Sequence, residues 1–383
     1  MNGGRAVGPA ARSGRSKGWA GWGQRLSGLA AVVRAHDWWT YKVAMILATG
    51  YATALQLGAS PARLWTCWLF LVGALVLVAV FASLVNDLCD LHEDRIAGKR
   101  NQLEGLPRGR VAALFVACLV PGGIFLGALW RFPAQFALYL ANWGIFALYS
   151  LPPIRLKCRA GWGILAIALG ESLLPNLFAV LVATTGAARQ PSPLWITLVG
   201  IWSFLVGLRS ILWHQLRDHD SDREAGVVTF AVWASPQRVR QLVCWVLFPI
   251  ECAALLGLLI CLGRPALWIG LGLCLLTDLL RNRLWGLPIV VVDPRPQDRL
   301  VLFEFYDMIF PLACLAAAIS QHWGNAIMWL VVAASTPRAG WWCTDAWMLL
   351  RTLYERLHQS LPGPPPRSTP TGPGADLPGR HDS

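Results

Sequence analysis

The sequence predicts an all-α, polytopic membrane protein of about nine spans, and three observations predict it. Hydrophobic residues make up 55% of the chain and charged residues 14%, with a mean hydropathy of +0.48. Apolar runs close to the length that crosses a bilayer recur along it. The basic residues gather in alternate connections between those runs. A net charge of +12 would suggest nucleic acid in a soluble protein. With Lys and Arg set between apolar runs, the expected partners are the lipid bilayer and an anionic substrate, and no nucleic acid. The ten cysteines are scattered, mostly in apolar segments and without a C-x-x-C, and read as small core residues, neither a disulfide framework nor a zinc site.

In order, residues 1–36 are rich in Gly, Ala, Arg and Ser and hold no acid. They read as a basic disordered segment rather than a targeting peptide, and Trp19, Trp22 and Leu26 could start a short interfacial helix. The membrane domain is expected over 37–336, with spans at 40–58, 64–85, 111–130, 133–150, 163–186, 193–213, 241–262, 265–280 and 302–319. A shorter run at 325–336 is a tenth span or a surface segment. Pro121, Pro133, Pro175 and Pro249 fall in or near these spans, where membrane helices tolerate them. Residues 337–358 read as an amphipathic or juxtamembrane segment, and 359–383 as a Pro-rich disordered tail. The segments around 86–110, 155–160, 214–240 and 281–299 each carry several Lys or Arg, whereas the intervening loops carry single residues such as Arg63, Arg131, Arg189 and Arg264. That alternation puts the N-terminus on the cytoplasmic side, in a multi-pass protein expected in a bacterial cytoplasmic membrane.

Two acidic stretches on that same side repeat each other. One runs from Asn86 to Gly98 and the other from His214 to Gly226, and both contain D-x-x-x-D-R-x-A-G. Continuing the preceding helix at about 100° per residue and taking Asp87 as zero, Asp90 falls near −60°, Asp94 near −20° and Asn86 near −100°. These four share a face, and His92 and Glu93 are expected to point elsewhere. In the second stretch Asp218 and Asp222 lie one turn apart on a common face, Asp220 lies opposite, and His214 sits one turn above Asp218. Five carboxylates held close repel one another, and Mg²⁺ shared with a diphosphate relieves that repulsion. Asn86, Asp87, Asp90, Asp94, Asp218 and Asp222 are therefore the candidate metal ligands. The connector Tyr149-Ser150-Leu151-Pro152-Pro153-Ile154-Arg155-Leu156-Lys157 supplies the opposite charge. Its proline pair stops the preceding helix. Alternation along an extended segment would present Arg155 and Lys157 on one side, as diphosphate ligands.

At these residues the chain resembles the UbiA superfamily of intramembrane prenyltransferases. Asn86, Asp87, Asp90 and Asp94 fit that family's N-D-x-x-D-x-x-x-D motif, and Asp218 and Asp222 its D-x-x-x-D motif. Tyr149, Ser150, Pro152, Pro153, Arg155 and Lys157 resemble its connector. The resemblance spans about residues 34–320 and implies a helical bundle around a central cavity with a lateral opening to lipid. It also implies Mg²⁺-dependent transfer of an isoprenyl chain from a polyprenyl diphosphate donor to a small acceptor, aromatic or otherwise. The five aspartates would be catalytic, and Asn86, Tyr149, Ser150, Arg155, Lys157 and His214 would contact substrate. The chain departs from the pattern after the first motif, where Lys99-Arg100-Asn101-Gln102 stands in place of the Arg-Pro element of many members with aromatic acceptors.

Two other readings compete. A terpene cyclase of the same fold would ionise the diphosphate and close the chain on itself. A transporter or lipid-binding protein fits intramembrane acids, but it fits poorly with two acidic repeats and a basic connector on one membrane face. Several further polar residues fall within or beside spans, among them Lys42, Asn142, Glu171, Asn176, Arg209, Glu251, Asp278, Glu304 and Asp307, and are functional candidates on that ground. Glu171 is expected either to pair with Arg209 or to meet the acceptor.

Overall fold

The computed structural model describes residues 38–360 except 97, 99, 225 and 294–298. The expectations for residues 1–36 and for the tail beyond Ser360 lie outside the described residues. Helix α1, Ala44–Gln56, follows without a break from the π-helical turn Trp39–Val43. Then come α2 (Pro61–Ile96), α3 (Arg108–Ala128), α4 (Pro133–Ser150), α5 (Ala160–Ala187) and α6 (Pro193–Arg217). The short helices α7 (His219–Glu224) and α8 (Phe230–Ala234) lead into α9 (Pro236–Leu262) and α10 (Pro265–Trp285). A two-stranded parallel ribbon, β1 (Ile289–Val290) and β2 (Arg299–Leu300), precedes α11 (Phe305–Ala318), α12 (Gly324–Ser335) and α13 (Pro337–Ser360).

The molecule is an all-α membrane protein. Five helices, α2, α3, α5, α6 and α9, are long and apolar enough to cross a membrane, and α11 and α12 are shorter apolar helices. The core is shared by α1, α2, α4, α5, α6, α9 and α11, with α1 at its centre, where Ala48, Ala52 and Ala54 are almost fully buried. Small residues let neighbouring backbones close up. At Gly207 of α6 an added Cβ would meet Ala168 Cα at 3.0 Å and Ala168 O at 3.1 Å, so α5 and α6 approach along a seam only glycine permits. Outside this core α3 turns Val116, Val120 and Ile124 outward, a surface suited to lipid and not to water.

The prolines within spans leave a specific mark. Three of the four π-helical turns among the described residues end two residues before one: Leu169–Leu173 before Pro175, Val243–Leu247 before Pro249, and Phe305–Ile309 before Pro311. Proline donates no N–H, and its ring presses on the carbonyl four residues back. The turn ahead of it widens, and the next available N–H reaches five residues back instead. Accordingly Leu174 N bonds Leu169 O, Phe248 N bonds Val243 O and Phe310 N bonds Phe305 O.

Candidate active site

Helix α2 carries the first acidic stretch at its end. With 36 residues it is roughly 54 Å long, against about 30 Å of hydrocarbon, so its last turns, Asn86 to Arg95, can project beyond the apolar layer. Of the four residues expected on one face, Asn86 and Asp90 meet a common partner there. Asn86 and Asp90 both meet Lys157: its ammonium donates to Asn86 Oδ1 at 3.3 Å and pairs with Asp90. Asp87 and Asp94 meet Asn101 instead, whose Nδ2 donates to Asp87 O and to Asp94 Oδ2, both at 2.8 Å. Asn86 and Asp90, one turn apart, share the side that meets Lys157, while Asn101 holds the Asp94 carboxylate and the Asp87 backbone carbonyl.

Glu93 departs from expectation. It is not turned away: Arg155 Nη1 donates to Glu93 Oε1 at 2.6 Å, and Arg155 Nη2 to Asp90 Oδ1 at 2.8 Å. At 100° per residue Glu93 lies only about 60° from Asp90, so one guanidinium can span them. The Glu93 carboxylate holds the Arg155 guanidinium above its ordinary range, and the charge is permanent.

The connector is not extended either. After α4 the chain turns at 151–154, Arg155 takes a left-handed backbone conformation (φ 41°), and Leu156–Cys158 forms a 3₁₀ turn. Arg155 and Lys157 still reach the same carboxylate, Asp90, because the tight coil places them there rather than strand alternation. A non-glycine residue at positive φ is strained, and its ion pairs with Asp90 and Glu93 hold it there.

In the second stretch α6 ends at Arg217, Asp218 is a bend, and α7 begins at His219. The ladder nonetheless continues across the bend, with Asp218 N to His214 O at 3.0 Å and Asp222 N to Asp218 O at 2.8 Å. His214, Asp218 and Asp222 therefore keep their one-turn spacing. Asp218 lies 3.1 Å from Arg217 Nε, and Asp220 is exposed beside His219.

Tyr149 is the penultimate residue of α4. It lies within charge-interaction range of Asp90 from the first stretch, Asp222 from the second, and Glu171. Ser150 beside it is buried. His214 is in range of Asp218, Lys42 and Glu171. Glu171 pairs with Lys42, and Arg209 takes Glu251 instead, so of the two roles expected for Glu171 the structure excludes the pair with Arg209.

The donors available for a metal are hard oxygens, five carboxylates and an amide, which suits Mg²⁺ better than a thiolate-seeking ion. No three His, Cys, Asp or Glu among the described residues already form a metal cage. Asp90 is engaged by two cations and Asp94 by an amide, so the set fits an ion that arrives with a phosphate and keeps waters of its own.

The family model described as the UbiA prenyltransferase family matches residues 39–288. The chain belongs to that family. It is therefore an intramembrane prenyltransferase, and the transporter reading is set aside. The Bacteriochlorophyll synthase 33 kDa chain of Cereibacter sphaeroides is 28% identical over 252 residues, covering 63% of this chain and 76% of that one. Among solved structures, a UbiA homolog from Archaeoglobus fulgidus bound to GPP and Mg²⁺ aligns with a TM-score of 0.52 at 15% identity, covering 76% of this chain and 99% of that one. A Digeranylgeranylglyceryl phosphate synthase aligns with a TM-score of 0.52 at 13% identity, covering 78% and 99%. At those identities the likeness is one of fold.

Sequence reasoning missed Asn101, and it had Lys42 as a polar residue of a span without its partner. Asn101 stands in the segment that replaces the Arg-Pro element, and it is buried and ties that segment back onto the first acidic stretch. Its signal was present as a lone amide one loop after the aspartates. Nothing in the one-dimensional pattern joined Lys42 to Glu171.

Proposed function

We propose that the protein transfers an isoprenyl chain from a polyprenyl diphosphate to a small acceptor, with Mg²⁺, at one mouth of a bundle of about nine spans. The spans are α1 to α6 and α9 to α11. The mouth is on the cytoplasmic side, an assignment that rests on the Lys and Arg of its connections. One observation carries the reading: Arg155 and Lys157 of the connector both pair with Asp90 of the first acidic stretch. Opposite charges from the connector and the first acidic stretch are thus gathered at one end of the bundle.

Asn86, Asp87, Asp90, Asp94, Asp218 and Asp222 would hold Mg²⁺, which when bound supplies positive charge to the leaving diphosphate. Arg155 and Lys157 leave Asp90 for the diphosphate oxygens, where they offset charge as the C1–O bond breaks. Asn101 keeps Asp94 in place, and Tyr149, Ser150 and His214 wall the space below the diphosphate. The solved homolog bound to GPP and Mg²⁺ supports the pairing of donor and metal.

Asp90→Ala and Asp222→Ala are each expected to abolish Mg²⁺-dependent diphosphate release from geranylgeranyl diphosphate. Full activity in both variants would overturn the assignment. The cyclase reading gives a different product: a cyclic hydrocarbon formed with no acceptor present, in place of a prenylated acceptor.

A further inference from the structure

In the first acidic stretch Asp90 and Asp94 are held by partners of different charge. Asp90 meets two cations, Arg155 and Lys157. Asp94 meets a neutral amide: Asn101 Nδ2 donates to its Oδ2 at 2.8 Å and also to the Asp87 carbonyl at 2.8 Å. Asn101 Oδ1 in turn accepts from Leu103 N at 3.0 Å. With its nitrogen donating to two acceptors and its oxygen taking a backbone N–H, the buried amide has one orientation. The segment that carries Asn101 is fastened independently of it. Leu103 is buried in a cluster with Leu84 and Cys118, Glu104 pairs with Arg95 at 2.9 Å, and Leu106 N bonds Leu103 O at 3.1 Å. Asn101 is therefore a fixed donor aimed at Asp94 from outside the stretch. It takes one carboxylate oxygen, and the other, Oδ1, accepts no hydrogen bond among the described residues.

We propose that Asn101 is a positioning residue that selects Mg²⁺ over Ca²⁺, by holding one Asp94 oxygen so that the carboxylate offers a metal only the other. This rests on the prenyl-transfer reading above, in which Asp94 is a metal ligand. A carboxylate with both oxygens free can chelate a large ion through the pair. Ca²⁺ accepts that mode within a loose shell of about six to eight oxygens. Mg²⁺ is smaller and demands a near-ideal octahedron, which the narrow bite of a two-oxygen carboxylate does not fit. One oxygen held back therefore costs Ca²⁺ a contact and costs Mg²⁺ nothing. The amide does this without neutralising Asp94, whereas a lysine or arginine at the same place would cancel the charge that attracts the metal. Outer-shell partners of this kind orient the ligands that touch the ion.

The test reads metal binding and needs no acceptor. Full-length protein in lipid nanodiscs is given geranylgeranyl thiodiphosphate, a slowly ionising analogue of the prenyl donor, and its equilibrium binding is titrated with Mg²⁺ and separately with Ca²⁺. Wild type is expected to half-saturate at an Mg²⁺ concentration about tenfold or more below that for Ca²⁺. The variant is Asn101→Ser, whose hydroxyl can still accept from Leu103 N in the turn but is too short to reach Asp94. Its half-saturating Mg²⁺ concentration is expected to rise about tenfold or more, and that for Ca²⁺ to move less than about threefold. In an Asp94→Ala background Asn101→Ser is expected to change neither value further. Equal preference for the two ions in wild type overturns the inference, whether or not the variant folds. Unchanged Mg²⁺ dependence in Asn101→Ser overturns it as well. Parallel shifts for both ions overturn it by assigning Asn101 to the segment's fold, and an additive loss in the double variant shows that it does not act through Asp94. Each of these leaves the functional reading standing as long as wild type binds the analogue with a divalent ion. Wild-type protein that binds none, or binds it without a divalent ion, overturns that reading and this inference with it.

Discussion

Among the ion pairs of the described residues, Arg209 with Glu251 and Lys42 with Glu171 are built to opposite specifications. In the first, Arg209 Nε and Nη2 reach Glu251 at 2.8 and 2.6 Å, and Tyr306 donates to the same carboxylate at 2.8 Å. Arg209 Nη1 reaches the carbonyls of Val291 and Val301 at 3.3 and 3.2 Å, and the guanidinium lies between the Phe248 and Phe303 rings. All three guanidinium nitrogens are used and neither side chain is exposed. In the second pair Lys42 and Glu171 meet once and stay partly open. A saturated pair fastens elements together, here α6, α9 and the segment before α11. An unsaturated pair keeps hydrogen-bonding capacity for something that comes and goes. Charge inside a membrane therefore does not by itself mark a functional residue; spare capacity does.

The largest expected effect comes from breaking the saturated pair. Arg209→Met leaves Glu251 buried without its cation and should cost about 3–5 kcal/mol, read as a large fall in melting temperature in detergent. Replacing both members, Arg209→Met with Glu251→Met, should recover much of that loss. Next, Arg155→Ala removes the cation that spans Asp90 and Glu93 and should weaken donor affinity at least tenfold, with the melting temperature little changed; equal affinity would show that Arg155 only anchors the connector. Lys42→Met should cost less than about 1 kcal/mol, as partly exposed pairs do, so a melting shift as large as that of Arg209→Met would erase the contrast between the two pairs. The smallest effect is expected of Asp220→Asn, an exposed side chain beside His219, with prenyl transfer within twofold of wild type.

Much of this arrangement was legible because helical periodicity is a local property. The 100° step puts Asn86 and Asp90 on one side of α2, where both meet Lys157, and hydropathy alone locates most of the helices. Glu93 was misplaced by reading the wheel too strictly, since a side chain 60° away is still a neighbour to an arginine. The connector was drawn as a strand, although the proline pair and Arg155 make a coil. The partners of Glu171, Arg209 and Lys42 were illegible for a different reason: each pair joins helices far apart in the chain, and only packing chooses between equivalent opposite charges.

The final helix sets a limit on how the chain can be divided. The family match ends at residue 288, yet Phe310, Cys314 and Leu315 of α11 are among the most buried residues of the core. Helix α13 in turn reaches back through Arg338 to the buried Asp307 and through Asp345 to Arg281 at 2.8 Å. A chain cut at the family boundary would open the core, and one cut before Pro337 would strand a buried acid. Among the described residues the packed unit therefore extends into α13.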